Sequence, residues 1–195
     1  KISKSKNLIY QIGYNKLFDD GIILAKKLIN KKNNLGNLIY FRYHNITGTG
    51  YVKNQKHYIS NEVYKKINKN SFKYPKWLSK KNYEIFNEYL NTNSHCASVL
   101  NFFFNKEPKI KFVNLNKSNQ LVVLHYDKFY GTLESKHYKD LEWNSYLKLY
   151  YEKGYLKIII PPQQDKKGSA KIFIKKRNQK LIEINPLKRK WSFYN

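Results

Sequence analysis

Residues 146–160 read YLKLYYEKGYLKIII, a stretch that predicts two β-strands connected by a tight turn. The apolar segments Tyr146–Tyr151 and Tyr155–Ile160 lie on either side of Glu152–Gly154. Short apolar runs separated by a few residues that include glycine are typical of a β-hairpin. The second half of the chain is therefore expected to be built around strands.

More strands are expected on the amino-terminal side of this hairpin. Lys109–Leu115 and Gln120–Tyr126 both have the composition of strands. Gly131 follows them, at a point where a turn is expected. Leu38–Tyr43 is a further predicted strand, nearer the amino terminus.

Three segments are predicted to be helices. The apolar residues of Leu17–Lys31 cluster on one helical face, with Asp19 and Asp20 in the first turn and lysines at the end. This order of charges is the one that the helix dipole favours. Ser60–Asn68 and Ser79–Leu90 are the other two candidates, and in each the serine is a suitable N-cap.

These elements predict an α+β fold, in which an antiparallel sheet packs with helices in two layers and carries a mainly helical insertion. Residues 1–54 are expected to supply a helix, a strand and a glycine turn of the core domain. Residues 55–107 form the helical insertion, and residues 108–195 form the β-rich part of the core with a basic, aromatic tail. A chain of 195 residues is long enough for this arrangement.

The charge balance is the strongest compositional signal. The chain has 38 Lys and Arg residues against 13 Asp and Glu residues, a formal net charge of +25 with a pI near 9.9. Because a compact fold repels itself at this charge, a polyanionic partner is the first expectation. Apolar residues make up 41% of the chain, which is enough to bury a core. The single cysteine, Cys96, excludes an internal disulfide framework and zinc sites that need several cysteines.

The abundance of Lys, Asn, Ile, Tyr and Phe points to an origin as well. These residues have codons rich in A and T, so we infer a strongly AT-rich coding genome. Organelle genomes of protists are a common example of such genomes.

Two motifs near the carboxyl terminus and one glycine turn resemble those of a known family. The first motif has the residues Asp165, Lys166, Gly168, Ala170, Ile174 and Arg177. The tail motif has Pro186, Lys188, Lys190 and Tyr194, and the turn has Gly48, Gly50 and Tyr51. In these positions the chain resembles the carboxyl-terminal domain of the large-subunit ribosomal protein L-six family. The resemblance implies a helix after Asp165 and a place in the large subunit near the elongation-factor landing region, whereas the residues alone leave helix and strand both open after Ala170.

Basic residues beside aromatic rings are the candidate RNA-binding positions, because cations neutralise phosphates and rings stack on unpaired bases. The first group is Lys171, Lys175, Lys176, Arg177 and Lys180. The second group, in the tail, is Lys188, Arg189, Lys190, Trp191 and Tyr194. Gly48 and Gly50 are a further candidate, as a turn or a loop that lies against an RNA backbone.

Acidic residues are few, so their grouping suggests an alternative. Two carboxylates and a histidine suffice to hold a magnesium ion, and a metal-dependent nuclease or another nucleic-acid-processing protein is therefore the alternative function. The residues that could form such a centre are Asp127, Glu134, Asp140, Glu142, His125 and His137. Ion pairing with neighbouring lysines is the competing explanation of these residues.

Two further possibilities are weaker. His95 beside Cys96 resembles a nucleophile pair, but adjacent side chains rarely converge on one substrate, so a surface or half-buried loop is expected there. Leu17–Lys31 is the one candidate for an amphipathic helix that binds a membrane surface.

We therefore expect a structural constituent of an organellar ribosome, in a mitochondrion or, as second choice, a plastid. Its partners are rRNA of the large subunit and neighbouring ribosomal proteins, with no membrane and no small-molecule substrate. No enzymatic activity, catalytic residue, metal or cofactor is expected. Phosphate neutralisation by lysine-rich surfaces is the expected mechanism of binding.

Overall fold

The structure, a computed structural model, describes residues 13–31, 34–48, 75–116, 119–138, 142–162, 165 and 168–186. Two α-helices lie in these residues, α1 (Asp20–Asn30) and α2 (Lys80–Phe104), and a short 3-10 helix, Asn15–Phe18, precedes α1. The strands are β1 (Leu38–Gly48), β2 (Lys109–Leu115), β3 (Gln120–Tyr126), β4 (Phe129–Tyr138), β5 (Asn144–Tyr151), β6 (Gly154–Ile159), β7 (Lys171–Lys176) and β8 (Ile182–Ile184).

The eight described strands form one sheet in the order β2-β3-β4-β1-β5-β6-β7-β8. Strands β1 and β4 are parallel, and all the other neighbouring pairs are antiparallel. Helices pack on one face of this sheet, and the predicted α+β fold with two layers is confirmed. Helix α2 lies in residues 55–107, where the helical insertion is expected.

The core lies between the sheet and the helices. Every second residue of the central strands is buried on this face, as the period of a strand requires. In β1 the buried residues include Phe41 and Tyr43, and α2 supplies Val99, Leu100 and Phe103. The other face of the sheet is half-exposed, so the described helices form a single layer on the sheet.

Helix α1 is attached to the sheet through its first residues. Asp19 is the N-cap, and its Oδ1 accepts hydrogen bonds from the backbone N–H groups of Gly21 (2.8 Å) and Ile22 (3.2 Å). The same carboxylate accepts from the Ala170 N–H (3.0 Å) and the Ser169 hydroxyl (3.0 Å), just before β7. One side chain therefore caps the helix and fixes it to the sheet.

Helix α2 begins where the sequence predicts a helix but continues further. Ser79 is its N-cap, and its side chain accepts a hydrogen bond from the Asn82 N–H (3.3 Å). The helix ends at Asn105, which has the left-handed conformation that helix ends often take. The predicted helix Ser60–Asn68 lies outside the described residues. Neither α1 nor α2 is long and apolar enough to cross a membrane.

Several local predictions can be compared with the strands. The hairpin of residues 146–160 is confirmed as β5 and β6. The helix that the L-six resemblance implies after Asp165 is wrong, because Lys171–Lys176 is strand β7. Gly131 lies within β4 and not in a turn, and Gly48 ends β1, which is longer than predicted.

Candidate active site

A row of buried polar residues crosses the helix-covered face of the sheet. Gln120, Ser135, Asn45 and Ser145 lie directly opposite one another on β3, β4, β1 and β5. All four are buried. The next row of inward-facing residues, toward the other end of the strands, is apolar. Buried polar side chains are costly unless they form hydrogen bonds, so this row needs an explanation.

Helix α2 places Asn93 over the row. The Asn93 amide Nδ2 donates to Ser135 Oγ (2.7 Å) and to Gln120 Oε1 (3.1 Å), and Ser135 Oγ donates to Gln120 Oε1 (3.0 Å). Asn93 Oδ1 and Gln120 Nε2 have no hydrogen-bond partner within the described part of the chain. One acceptor and one donor are thus left over at the centre of the network. Together they match the hydrogen-bonding groups of a hydroxyl or a water molecule.

The middle of the row continues toward α2 through Tyr43 and Cys96, both fully buried. The Ser145 hydroxyl donates to Asn45 Oδ1 (2.9 Å), next to the Tyr43 ring. Burial raises the pKa of the Tyr43 phenol well above its ordinary value and also raises the pKa of the Cys96 thiol. Both groups are therefore neutral near pH 7.

A buried lysine lies beside Cys96. Lys16, in the 3-10 helix, is 5% exposed, and its Nζ lies 5.3 Å from the centre of the Trp143 ring. Trp143 is held by a hydrogen bond from its Nε1 to the Ile160 carbonyl (2.8 Å). Burial lowers the pKa of Lys16, which is costly because a charge is removed from water. Neither amide atom of the adjacent Asn15 has a partner among the residues described.

His95 lies on α2 at the side of this buried group. Its ring contacts the Tyr14 ring edge to face, at 5.9 Å between centroids. Its Nδ1 is buried and lacks a hydrogen-bond partner in the described ranges. Burial, and secondly the charge of Lys16, lower the pKa of His95 below its ordinary 6.5. The imidazole is therefore neutral at pH 7 and can accept a proton.

A cavity begins at Tyr14, next to the His95 ring. It has a volume of about 490 Å³ and runs along α2 to Asn105, with Lys26 and Ser98 in its walls. None of its lining residues belongs to Lys16, His95 and the polar row, which we call the polar cluster; Tyr14 lines the cavity, and its ring contacts the His95 ring. A proton acceptor, a buried cation and unpaired amide groups are the components of a site for a small polar ligand.

The RNA-binding positions that the sequence predicts lie elsewhere. Lys171, Lys175 and Lys176 are on β7, and Arg177 and Lys180 follow this strand. Gly48 is buried at the end of β1. Lys188, Arg189, Lys190, Trp191, Tyr194 and Gly50 lie outside the described residues.

The carboxylates of the alternative nuclease do not come together. Asp127 forms an ion pair with Lys106 (3.0 Å), and Glu134 binds Arg42 (2.7 Å) and His44 (3.0 Å) on the half-exposed face of the sheet. Asp140 lies outside the described residues. In the ranges that the structure covers, no group of three His, Cys, Asp or Glu side chains could hold a metal ion.

The polar cluster was not predicted from the sequence. His95 and Cys96 were expected in a surface or half-buried loop, but they lie within α2, and Cys96 is fully buried. One local signal was present in β1, where the inward-facing residues change from Phe41 and Tyr43 to Asn45 and Thr47. A change from apolar to polar within one buried series marks a point where the core gives way to a site.

Comparison with known proteins gives a fold and no family. No protein-family model and no curated protein matches the chain. A 3-ketoreductase from Actinomadura kijaniata, solved with NADP and TDP-benzene, is similar at a TM-score of 0.67 and 8% identity, over 98% of this chain and 53% of that one. An inositol dehydrogenase homologue from Azotobacter vinelandii, solved with NADH and myo-inositol, is similar at a TM-score of 0.60 and 10% identity. This match covers 94% of this chain and 44% of that one. An oxidoreductase from Pseudomonas syringae is similar at a TM-score of 0.58 and 10% identity, over 94% of this chain and 44% of that one.

The chain thus spans about half the length of these solved structures. Because the similar solved structures that the comparison names are oxidoreductases, the expected role in a ribosome is wrong, and so are the nuclease alternative and the expectation that the protein is not an enzyme. The structures contain small molecules, so the expectation of rRNA and ribosomal proteins as partners, without a small-molecule substrate, is also wrong. The L-six resemblance itself and the location in an organelle stay predictions.

Proposed function

We propose that this chain is the substrate-binding part of an oxidoreductase that interconverts a hydroxyl and a carbonyl group of a small polyhydroxylated compound. Its fold supports this proposal, because proteins solved with myo-inositol and with a nucleotide derivative share that fold. Fold alone does not assign a reaction, so the proposal depends on the site.

The observation that carries the proposal is His95 beside the buried Lys16, a pair that is linked through Cys96 and Tyr43 to a row of buried polar groups. A core built only for stability would fill this position with apolar side chains. Here unpaired groups of Asn15, Asn93 and Gln120 are kept away from water, within the described part of the structure. Hydroxyl groups of a ligand both donate and accept hydrogen bonds, and they match such a lining.

The residues account for the proton of the reaction. Oxidation of an alcohol removes one proton and one hydride. His95 in its neutral form accepts the hydroxyl proton, and the hydride would pass to a nicotinamide acceptor of the kind solved with the similar structures, for which the described residues supply no site. In its protonated form, Lys16 would stabilise negative charge that develops on the substrate oxygen. In the reverse direction the protonated imidazole returns the proton to the alkoxide.

The described residues do not fit a nicotinamide dinucleotide. Such cofactors bind where a strand passes through a glycine-rich turn into a helix. Helix α1 follows Asp19 and helix α2 follows Ser79, so neither described helix starts from a glycine-rich turn after a strand. We therefore assign only substrate contacts to this chain, and no step through the cofactor is derived.

Binding of polyhydroxylated compounds tests the proposal. Saturation-transfer NMR and calorimetry with myo-inositol, glucose and sorbitol should detect a saturable site in the wild-type protein. His95→Gln should weaken the binding at least ~10-fold, the equivalent of one lost hydrogen bond in a desolvated site.

A matched control is available in His125. Its Nδ1 is also buried without a partner in the described ranges, but its ring stacks on Tyr130 on the other face of the sheet. His125→Gln should leave binding unchanged within about a factor of two. Absence of binding by all three compounds, or equal losses in both variants, would contradict the proposal.

A further inference from the structure

Strand β2 is an open edge of the sheet with unusual exposure. It pairs with β3 on one side, and no other described strand lies on its other side. Its seven residues are exposed except the last, and Ile110, Phe112 and Val113 are 65%, 50% and 47% exposed. Backbone donors and acceptors along such an edge are available to pair with another strand.

An apolar groove lies beside this edge, between β2 and α2. Its volume is about 470 Å³, and Tyr89, Leu100, Ile110, Val122 and Leu124 are among the residues that line it. Ile110 and Val113 lie opposite Leu124 and Val122, so they point to the helix side of the sheet. Side chains of a strand added at the edge would alternate between this groove and the other face.

The charges at the edge select the added strand. Lys109 and Lys111 are exposed on β2, and this strand carries no carboxylate. Lysines at an edge disfavour pairing with a cationic strand, and a second copy of this chain would bring the same lysines and a net charge of +25. An acidic strand would instead place its carboxylates near these lysines.

The opposite edge of the described sheet is shorter and has an acidic residue. Strand β8 has only three residues, Ile182–Ile184, and Glu183 at its centre is acidic. Short edge strands offer few backbone groups and are a common protection against pairing. The two edges therefore differ in length and in charge.

We propose that β2 and its groove bind an extended segment of another protein, in which apolar residues alternate with Asp or Glu. The segment pairs with β2 as a ninth strand and places its apolar side chains against Ile110 and Val113. This interaction is separate from the polar cluster and does not depend on the proposed function.

A synthetic peptide tests the proposal directly. The probe is a fluorescein-labelled ten-residue peptide of alternating valine and glutamate, titrated with the whole chain and followed by fluorescence anisotropy. Saturable binding is expected, and amide hydrogens of β2 should exchange more slowly in the complex because they become part of a ladder. A peptide of alternating valine and lysine should bind at least ~10-fold more weakly because of like charges.

Two variants of matched exposure separate the edges. Val113→Glu adds a like charge on β2 and should weaken binding of the acidic peptide at least ~10-fold. Ile182→Glu, at a residue 48% exposed on β8, should change binding less than about twofold. Ile110→Glu replaces Val113→Glu if the latter fails to fold by circular dichroism. Absence of binding, equal effects at the two edges, or dimers formed through β2 in sedimentation would overturn the proposal.

Discussion

The helix-covered face of the sheet has two ends that differ in chemistry although the same strands and the same helix build both. On β1, Phe41 marks one end and Asn45 marks the other, only four residues further along. At the Phe41 end, rings of α2, β3 and β4 contact one another, with centroids 5.3 Å apart for Phe41 and Phe104 and 4.9 Å for Phe104 and Tyr126. At the Asn45 end, buried amides and hydroxyls replace the rings.

This difference separates stability from function. The aromatic end packs rings around the buried Phe41, and burial of apolar surface is the largest source of folding free energy in a domain. The polar cluster contains the buried amine of Lys16 and amide groups that have no partners in the described part of the chain, so it reduces the free energy of unfolding. Proteins retain residues that lower their stability where these residues serve the binding of a ligand.

Phe41→Ala is the change with the largest expected effect. Phe41 is fully buried, and its ring fills the space above Gly131, where an added Cβ would lie 2.0 Å from the ring. Removal of the ring leaves a cavity, so we expect the free energy of unfolding to fall by about 3–5 kcal/mol. Urea denaturation followed by circular dichroism measures this loss.

A neighbouring residue of the same strand is the control. Ile39 is 53% exposed, and Ile39→Ala should cost no more than about 0.5 kcal/mol. Similar losses at both positions would show that the aromatic end is not the stabilising region.

Lys16→Met is expected to have the opposite sign. The variant removes a buried cation and keeps most of the side-chain volume, so the free energy of unfolding should rise by about 1–3 kcal/mol at pH 7. The pKa of Lys16 is lowered in the folded state, so between this lowered pKa and about 10.5 the unfolded chain binds more protons, and below the lowered pKa the full cost of the lysine is present. The gain should therefore become smaller as the pH rises toward about 10.5, where the unfolded chain also loses this proton.

Thermal denaturation at two pH values measures this gain. The control is Lys153→Met, at an exposed position of the β5–β6 turn, for which the free energy of unfolding should change by no more than about 0.5 kcal/mol. Binding of polyhydroxylated compounds should be lost in Lys16→Met although the protein is more stable. A destabilised Lys16→Met protein would mean that the lysine supports the fold.

The fold was more predictable than the site because its signals are local. The hairpin of residues 146–160 shows two apolar segments and a turn within fifteen residues, and α1 shows its capping carboxylate, Asp19, next to its apolar face. The structure of Lys171–Lys176 was left open because six residues contain too little periodicity to distinguish a strand from a helix.

The site depends on distances that the sequence does not contain. Asn45, Gln120, Ser135 and Ser145 form one row only through the register of four strands. His95 gains its environment from Lys16, about eighty positions away in the chain. The excess of lysine suggested a polyanion, but the lysine nearest the candidate site is buried and does not contribute to the surface charge.

The smallest expected effect is a pH dependence that His95 introduces. The pKa of His95 is below 6.5 in the folded protein, so between this value and 6.5 the unfolded chain binds more protons. The wild-type protein therefore loses stability as the pH falls through this window, whereas the His95→Gln variant does not. The carboxyls of Glu134 and Glu152 have lowered pKa values, so the stability that they contribute is lost only below about pH 4.5. This loss lies at lower pH than the window in which His95 titrates. Because the ring is half-exposed, we expect the melting temperatures of wild type and variant to diverge by only about 1–2 °C between about pH 7.5 and 5.5. Parallel melting curves, or an NMR titration that places the folded His95 pKa at or above 6.5, would mean that this imidazole is not desolvated and that the polar cluster does not include it.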